Sequence, residues 1–428
     1  MLDRTTPPAI RQIEHFRLPA PERMTLTNGI PLNVLRMGDE DVVRFDLLMR
    51  GGQWHQTQPL QAMFANRMLR EGTRRFSSSG IAERLDFYGA WLDLSSSINY
   101  GFVTLYSLGK YLPQTLEIVA SMVREPTMPE AEMETVVKAN RQQFLINSGR
   151  VDVQARRKFN QTMFGREHPL GRPAETDDYS HISRDVLMDF YRAHYHSRNA
   201  SIYISGRVTP ATIDCVDRLF GKEDWGDTAR VTVDEDHRPC PEGKKRIFIE
   251  KDDALQSSVK MGYFTISQSH PDFMKLKVLT TIYGGYFGSR LMMNVREDKG
   301  YTYGIWAGLV PYPGLSVFGI STETANEYVE PLIEEVCKEM DRLREERVGK
   351  DELDMVRSYM MGDLCRAYET AFSLPEAWIY LETAGLPDDF FERSVQAIRE
   401  VTAEETERLA ERYFSKEKLI AVVAGKKV

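Results

Sequence analysis

Alternating apolar and polar positions recur in two widely separated stretches of the chain. The first, VVRFDLLMRGG, covers residues 42–52, and the second, SSVKMGYFTIS, covers residues 257–267. Such alternation is typical of a β-strand with one buried face. A helical pattern follows each stretch, over residues 59–72 and 271–283. The pattern therefore predicts the same order of strand and helix in both halves of the chain.

The end of each half repeats most clearly. A helix cap at Ser183 or Thr402 is followed by a helix, an aromatic residue and a short apolar strand that ends at Gly206 or Gly425. The separation from cap to glycine is 23 residues in both cases. Thr402 also begins a T-x-x-E capping box. The equal spacing indicates an internal duplication.

These repeats predict an α+β fold with two similar, duplicated domains, each a mostly antiparallel sheet packed with helices. We predict an N-terminal domain over residues 20–222 and a C-terminal domain over residues 246–428. The residues between them, 223–245, include prolines, a glycine and an acidic run. That composition is typical of interdomain linkers.

Composition narrows the class of protein. Of the 428 residues, 42% are apolar and 28% charged, as in ordinary soluble globular proteins. The net charge of −8 gives no electrostatic reason to bind nucleic acid or an anionic membrane. No apolar run approaches the roughly 18 residues of a membrane-spanning helix. We therefore expect neither a nucleic-acid partner nor a membrane partner.

The start of the chain, MLDRTTPPAIRQIEHF, has an acidic residue and no apolar core of a secretory signal. This favours a cytoplasmic location, with the alternative of a signal peptide that has been removed left open. The four cysteines form no C-x-x-C pair, so neither a zinc knuckle nor a redox motif is predicted.

Common catalytic motifs are missing from the sequence. It contains no G-x-S-x-G, no P-loop and neither H-E-x-x-H nor H-x-x-E-H. His194 and His196 are two positions apart on a predicted helix, so they point to different faces and make a poor metal pair. The glycines of residues 283–288 lack the spacing of a phosphate-binding loop.

The segment GGYFGSRLMMNVREDKGYTYGI, within residues 283–309, resembles the signature of the C-terminal domain of pitrilysin-type (inverzincin) zinc peptidases. That family includes the mitochondrial processing peptidase. In the family the segment supplies an Arg and a Tyr, seven residues apart, that hold the substrate. Arg296 and Tyr303 match that pair. The resemblance extends over nearly the whole chain and implies that both residues bind peptide.

The helix in PLQAMFANRMLREGT, residues 59–73, resembles the metal helix of these peptidases, which carries H-x-x-E-H before a similar Gly-Thr turn. In the family the two histidines bind zinc and the glutamate activates water. Counted back from the turn, the corresponding residues here are Met63, Asn66 and Arg67. None of the three can take its family role, because methionine binds zinc poorly, asparagine is no base and a guanidinium repels a cation.

The third ligand of the family is a glutamate some 75–80 residues further on. No acidic residue occurs here between Glu134 and Asp152. The resemblance therefore implies no catalytic residue and no metal site in this chain alone.

The most direct hypothesis is a non-zinc-binding subunit of a two-subunit peptidase. A homologous partner would carry H-x-x-E-H and the zinc, and Arg296 and Tyr303 would hold the peptide in a chamber that both chains complete. Two alternatives stay open. One is a non-catalytic scaffold of the same fold, and the other is a homodimer that binds peptides without cleaving them.

Overall fold

The computed structural model describes residues 5, 13, 16–229 and 237–428. Most of the amino-terminal stretch used above to argue against a signal peptide lies outside these residues. So do residues 230–236 of the predicted linker, whose described parts form neither helix nor strand. In the described parts of the chain, no helix is both long and apolar enough to cross a membrane.

The first sheet has six strands. They are β1 (Glu22–Thr25), β2 (Pro31–Arg36), β3 (Val42–Arg50), β4 (Trp91–Ser96), β5 (Tyr100–Leu108) and β6 (Ala200–Gly206). Their order across the sheet is β1-β2-β6-β3-β5-β4. Only the pairing of β2 with β6 is parallel. β4 therefore lies at one edge.

The second sheet has five strands. They are β7 (Arg246–Glu250), β8 (Gln256–Thr265), β9 (Thr302–Tyr312), β10 (Leu315–Ala325) and β11 (Ile420–Gly425), in the order β7-β11-β8-β10-β9. β7 and β11 are parallel, and β9 and β10 are antiparallel. This order matches the run β2-β6-β3-β5-β4 in the first sheet, with β11 in the place of β6.

Thirteen α-helices are found among the described residues. They are α1 (Gln61–Arg67), α2 (Ser78–Phe87), α3 (Leu112–Arg124), α4 (Glu130–Ser148), α5 (Val151–Phe164), α6 (Arg184–His194), α7 (Pro210–Val216), α8 (Phe273–Thr280), α9 (Val329–Glu345), α10 (Lys350–Ala367), α11 (Leu374–Ala384), α12 (Phe390–Glu400) and α13 (Ala403–Tyr413). Three π-helical segments occur among the described residues, Asp217–Gly221, Thr281–Gly285 and Met292–Asp298, and the last two precede β9.

The repeated ends of the two halves fold alike. Ser183 caps α6 by accepting a hydrogen bond from the Val186 N–H, and Thr402 caps α13 in the same way through the Glu405 N–H. Glu405 completes the predicted capping box. Each helix leads into a strand beside a parallel neighbour. The predicted α+β fold with duplicated, mostly antiparallel sheets is confirmed.

Spatial proximity groups the residues into two compact units that are not continuous in sequence. The first unit consists of Pro19–Met261, Thr370–Gly385 and Ile420–Val428. The second consists of Gly262–Glu369 and Leu386–Leu419, with the described residues before Pro19. The division of the sequence into two duplicated domains, joined by a linker at residues 223–245, stays a prediction.

Within the first unit, β3 differs from the half-buried strand that its alternation predicts. Its polar residues Arg44 and Asp46 are buried as well as its apolar ones. The reason is that α11 covers this face of the sheet: Arg44 pairs with Glu376, and Tyr203 donates a 2.7 Å hydrogen bond to Glu382. The polar positions of β3 therefore face another element instead of water.

Within the second unit, aromatic rings form much of the core behind the sheet. Tyr283, Phe318 and Phe414 lie with ring centroids 5.1–5.9 Å apart. The Tyr283 hydroxyl donates a 2.7 Å hydrogen bond to the carbonyl of Val336 in α9. This packing fixes the π-helical segment Thr281–Gly285 against the rest of the unit.

Candidate functional site

Met63, Asn66 and Arg67, which are predicted to correspond to the zinc motif, lie on α1 in different environments. Met63 is half-buried and packs against the core, whereas Arg67 is exposed. Asn66 is 1% exposed, and its amide donates hydrogen bonds to the Phe102 carbonyl and to the Tyr195 hydroxyl, at 3.2 and 3.1 Å. Asn66 is thus engaged with β5 and with the end of α6.

The residues of this helix do not suit the zinc that other members of the family hold there. The two ligand positions hold Met63, a weak ligand for zinc, and Arg67, a permanent cation. At the position of the base, the Asn66 amide nitrogen donates two hydrogen bonds inside the fold. Burial raises the pKa of Tyr195, although its bond from Asn66 acts in the opposite direction, so the phenol stays neutral. Within the described ranges, no group of three or more His, Cys, Asp or Glu side chains is placed to hold a metal.

The histidines noted in the sequence do not change this result. His194 ends α6 and packs against Phe190 and His55, with ring centroids 4.4 and 5.4 Å away. His196 lies beyond the helix and is buried, and burial lowers its pKa. The prediction that both lie on one helix is wrong, because α6 ends at His194.

Arg296 and Tyr303 lie together in the second unit. Arg296 belongs to the π-helical segment Met292–Asp298, and Tyr303 is the second residue of β9. The guanidinium carbon of Arg296 lies 5.3 Å from the centroid of the Tyr303 ring. Between them the chain reverses at Gly300, whose φ of 67° favours glycine. The turn is closed by the Tyr301 N–H, which donates to the Val295 carbonyl.

The segment that carries Arg296 is held firmly in place. Asn294 donates hydrogen bonds to Glu335 and Glu339 of α9, at 3.1 and 2.7 Å. Arg290 makes a two-pronged pair with Glu352 of α10, at 2.9 and 3.1 Å. These side chains serve the structure, and they leave Arg296 as the arginine that faces the pocket.

The Arg296 guanidinium is oriented by its neighbours. It lies 4.4 Å from the centroid of the Phe287 ring, in addition to its contact with Tyr303. One of its nitrogens is 3.0 Å from a carboxylate oxygen of Glu297, although the two are not aligned as a hydrogen bond. Tyr303 is 91% exposed, so its phenol is presented to solvent. An exposed phenol therefore lies beside a half-buried guanidinium, one of whose buried nitrogens has no hydrogen-bond partner among the described residues.

Both residues line a pocket of about 500 Å³. Its walls come from the segment after α8, from the π-helical segment of Arg296 and from the start of β9; they include Gly284, Phe287, Met292, Ile305, Trp306 and Ser321. Gly284 permits the close approach of the first wall, because a Cβ there would lie 2.6 Å from the Ala307 Cβ.

Phe287 and Trp306 are pocket residues that sequence reasoning did not single out. Both lie in the segment 283–309 that carries the family resemblance, and both are large apolar residues that stay exposed, at 64% and 43%. The signal in the sequence that could have identified them is the presence of large aromatic residues in the same segment as the candidate pair.

Comparisons with known proteins agree with this fold. Residues 44–176 match the family described as Insulinase (Peptidase family M16), and residues 181–360 match the Peptidase M16 inactive domain. These two matches lie in one family and together span most of the chain. The protein belongs to peptidase family M16, to which the pitrilysin-type resemblance pointed.

Individual relatives are distant in sequence. An uncharacterized zinc protease of Rickettsia bellii is 25% identical, over 80% of this chain and 83% of that protein. A probable inactive metalloprotease of Bacillus subtilis, YmfF, is 20% identical over 56% of this chain and 55% of its own length. The crystal structure of a peptidase M16 inactive domain from Pseudomonas fluorescens superposes with a TM-score of 0.83 at 20% identity, covering 95% of this chain and 98% of that one.

Proposed function

We propose that this chain is the non-zinc-binding subunit of a heteromeric M16 peptidase. A homologous partner subunit carries H-x-x-E-H and the zinc, and this chain contributes Arg296 and Tyr303 to the binding of the peptide substrate. One contrast carries the proposal. Met63 and Arg67 of α1 do not suit a metal, whereas the half-buried Arg296 and the exposed Tyr303 line one formed pocket.

The chemistry of the pair suits a peptide carbonyl. The guanidinium and the phenol both donate hydrogen bonds, and a carbonyl oxygen gains negative charge as its carbon is attacked. The contact with Phe287 and the ion pair with Glu297 limit the orientations of Arg296. A donor that is already oriented stabilises developing charge with little reorganisation.

Copurification tests the existence of the partner. The full chain, tagged and expressed in its native host, is expected to retain a second protein with H-x-x-E-H, identified by mass spectrometry. Metal analysis should find zinc in the copurified complex and none in stoichiometric amount in the chain alone, which should also cleave no peptide. Tightly held zinc and chelator-sensitive cleavage in the isolated chain would contradict the proposal.

The role of the pair is tested in the reconstituted complex. Removal of one oxyanion-type donor typically lowers kcat by ~10²–10³. Tyr303→Phe is expected to lower kcat by about that factor, and Arg296→Ala by at least as much, with an added rise in KM. Subunit association, followed by gel filtration, should not change.

Two matched variants control for non-specific effects. Tyr328→Phe alters a half-exposed tyrosine that stacks on Tyr301, and Arg366→Ala alters an exposed arginine paired with Asp363. Neither residue lines the pocket, and both variants should cleave at the wild-type rate. If the pocket variants also assemble and cleave normally, the chain acts as a scaffold. If the chain forms only dimers with itself and binds peptides, the homodimer alternative is correct.

A further inference from the structure

Four cationic side chains on the exposed sides of α1 and α4 have no partner among the described residues. They are Arg67 on α1, Arg70 in the 3-10 turn Met68–Glu71 that continues it, and Lys138 and Arg141 on α4. All four are exposed, and none makes an ion pair, a hydrogen bond or a ring contact with any residue that the structure describes. Within each pair the spacing is three residues, so the two side chains lie on one face of their helix.

The two helices lie side by side and run in opposite directions. The end of the 3-10 turn meets the segment just before α4, where the Thr127 N–H donates a hydrogen bond to the Gly72 carbonyl. The later part of α4 reaches back toward the start of α1 through Tyr179, whose ring centroid is 5.3 Å from that of Phe144 and 6.1 Å from that of Phe64. The buried sides of both helices belong to one core cluster. Their exposed sides are therefore neighbours, and together they form a cationic face made of Arg67, Arg70, Lys138 and Arg141.

Nearby carboxylates do not neutralise this cationic face. Glu71 accepts a 2.7 Å hydrogen bond from the Ser78 hydroxyl of α2. Glu134 lies one turn before Lys138 on α4, yet these two described side chains form no ion pair. By contrast, Arg342 in the second unit contacts two carboxylates. In a chain with 63 acidic and 55 basic residues, the cationic face is a local excess of positive charge.

We propose that the cationic face binds the carboxylates of an acidic peptide segment. The inference rests on the proposed function in taking a peptide as the ligand, and it adds a preference for peptides that carry Asp or Glu. Guanidinium groups suit carboxylates, because their planar N–H donors can bond to both oxygens. Arg67, which does not suit a metal, thus attracts an anionic part of the ligand.

The overall charge of the chain favours a peptide over a nucleic acid. A nucleic acid carries a negative charge at every nucleotide, and the net charge of −8 would repel the parts of it that extend beyond the cationic face. A short acidic peptide has only a few charges, and all of them can lie on the cationic face. A basic peptide would be repelled there.

Peptides of the form dye-Gly-X-Gly-X-Gly-X-Gly-amide, in which the dye is uncharged, provide the test. X is Glu, Gln or Lys, and fluorescence anisotropy with the full chain alone measures Kd. Each exposed ion pair contributes a factor of about 1.5–5 to affinity. We therefore expect the Glu peptide to bind about tenfold more tightly than the Gln peptide at about 50 mM salt, and about 300 mM salt should remove most of that preference. The Lys peptide should bind no better than the Gln peptide.

A Gln peptide with a free carboxyl end separates the two sources of a carboxylate. If it binds as weakly as the amide, the cationic face recognises acidic side chains. If it binds as tightly as the Glu peptide, the cationic face recognises the end of a peptide chain through the same chemistry.

Substitutions on each helix locate the binding. Arg67→Gln with Arg70→Gln should reduce the preference for the Glu peptide by at least about threefold, and Lys138→Gln with Arg141→Gln should act in the same direction. Arg67→Lys with Arg70→Lys keeps the charge and should keep most of the preference. Circular dichroism of every variant should match that of the wild type, because these side chains contact no described residue.

A matched control removes the same charge elsewhere in the first unit. Arg166 and Arg207 are exposed, and their side chains likewise make no ion pair or hydrogen bond with a described residue. The double substitution of both by Gln should leave the preference within about twofold of the wild type. An equal loss in this control would show that only the net charge of the chain matters, and it would overturn the proposal.

Three further results would overturn it: equal affinities for the Glu and Gln peptides, no binding by any peptide, or tighter binding by a short oligonucleotide with the same charge as the Glu peptide. The last result would assign the cationic face to nucleic acid. Cleavage by the reconstituted complex that depends on Arg296 and Tyr303, without any preference for the Glu peptide, would reject the cationic face alone. A preference for the Glu peptide in a chain for which no zinc-binding partner is found would support the cationic face and contradict only the proposed function.

Discussion

Asn66 is a single residue whose contacts explain why it is structural. Its amide links α1 to the Phe102 carbonyl in β5 and to the Tyr195 hydroxyl at the end of α6. The space around it is tight, because a Cβ on Gly101 would lie 2.5 Å from that hydroxyl. A catalytic base at this position would have to be reachable by water, whereas Asn66 is sealed inside the first unit.

We expect Asn66→Ala to lower the free energy of unfolding by about 1–3 kcal/mol, because two buried polar groups lose their partner. Urea unfolding of the full chain measures this change. Arg67→Ala, on the same helix but exposed, is the control and should stay within about 0.5 kcal/mol of the wild type. Equal effects of the two substitutions would show that the bonds of Asn66 do not stabilise the fold.

At the residue scale, the sequence indicated which residues are of interest better than it indicated which residues contact them. It placed Met63, Asn66 and Arg67 at the positions of a zinc motif, which needs only counting from a turn. It could not tell that Asn66 is buried with two partners, because Phe102 and Tyr195 come from distant parts of the chain. For the same reason Phe287 and Trp306 were missed, since they line one pocket only after separate segments of the chain have come together.

Among the elements, α11 is the one whose position the sequence did not indicate. It follows α10 in the chain, yet it belongs to the first unit and covers the polar face of β3. Local periodicity describes which residues a helix can bury and says nothing about which sheet receives them. The segments around Ser183 and Thr402 were predicted well because caps, periodicity and glycines are local signals.

The layer between β3 and α11 contains a buried ion pair. Arg44 makes two hydrogen bonds to Asp46, at 2.8 and 3.0 Å, and Thr104 donates a third to the same carboxylate at 2.7 Å. Asp46 is 1% exposed. Arg44 continues the contact to α11 through Glu376 and the Phe372 carbonyl.

Asp46→Ala is expected to lower the free energy of unfolding by about 3–5 kcal/mol, because it leaves the Arg44 charge buried without its main partner. The double substitution Arg44→Met with Asp46→Leu should be clearly less harmful, since it removes both charges and keeps the volume. Denaturant unfolding of the single and double variants measures the difference. A double variant that is no more stable than Asp46→Ala would contradict this account.

The stability of the whole molecule should depend on pH through its buried histidines. Burial lowers the pKa of His168 and of His196 below the ordinary value of 6.5. His168 accepts a hydrogen bond from the Leu170 N–H through Nδ1, and its Nε2 lies 3.1 Å from the His237 carbonyl, to which it donates. This arrangement requires the neutral ring, because a proton on Nδ1 would remove the acceptor.

As the pH falls below about 6.5, the unfolded chain therefore takes up protons before the folded one. The free energy of unfolding should fall by at most about 1.4 kcal/mol per pH unit for each such histidine, and the loss should end at the folded-state pKa. Thermal unfolding between pH 8 and pH 5 measures the slope. His168→Gln should flatten it, whereas substitution of the exposed His181 by Gln should not. Identical slopes in all three proteins would refute the role of His168.

At the scale of the whole chain, the duplication was visible because spacing is conserved within one sequence. The two compact units could not be recognised in the sequence, because each is assembled from separate stretches. Contacts between residues that are far apart in the chain produce no periodic pattern in the sequence.

The placement of α11 also sets an order of events during synthesis. Arg44 and Phe372, which it brings together, are 328 residues apart in the chain. A nascent chain that has not reached residue 370 lacks the segment that covers Arg44 and Asp46, however well the earlier strands have paired. The first unit also includes residues 420–428, which are made later still. The unit whose strands are made first is consequently completed late in synthesis, and its open sheet face must stay soluble until then.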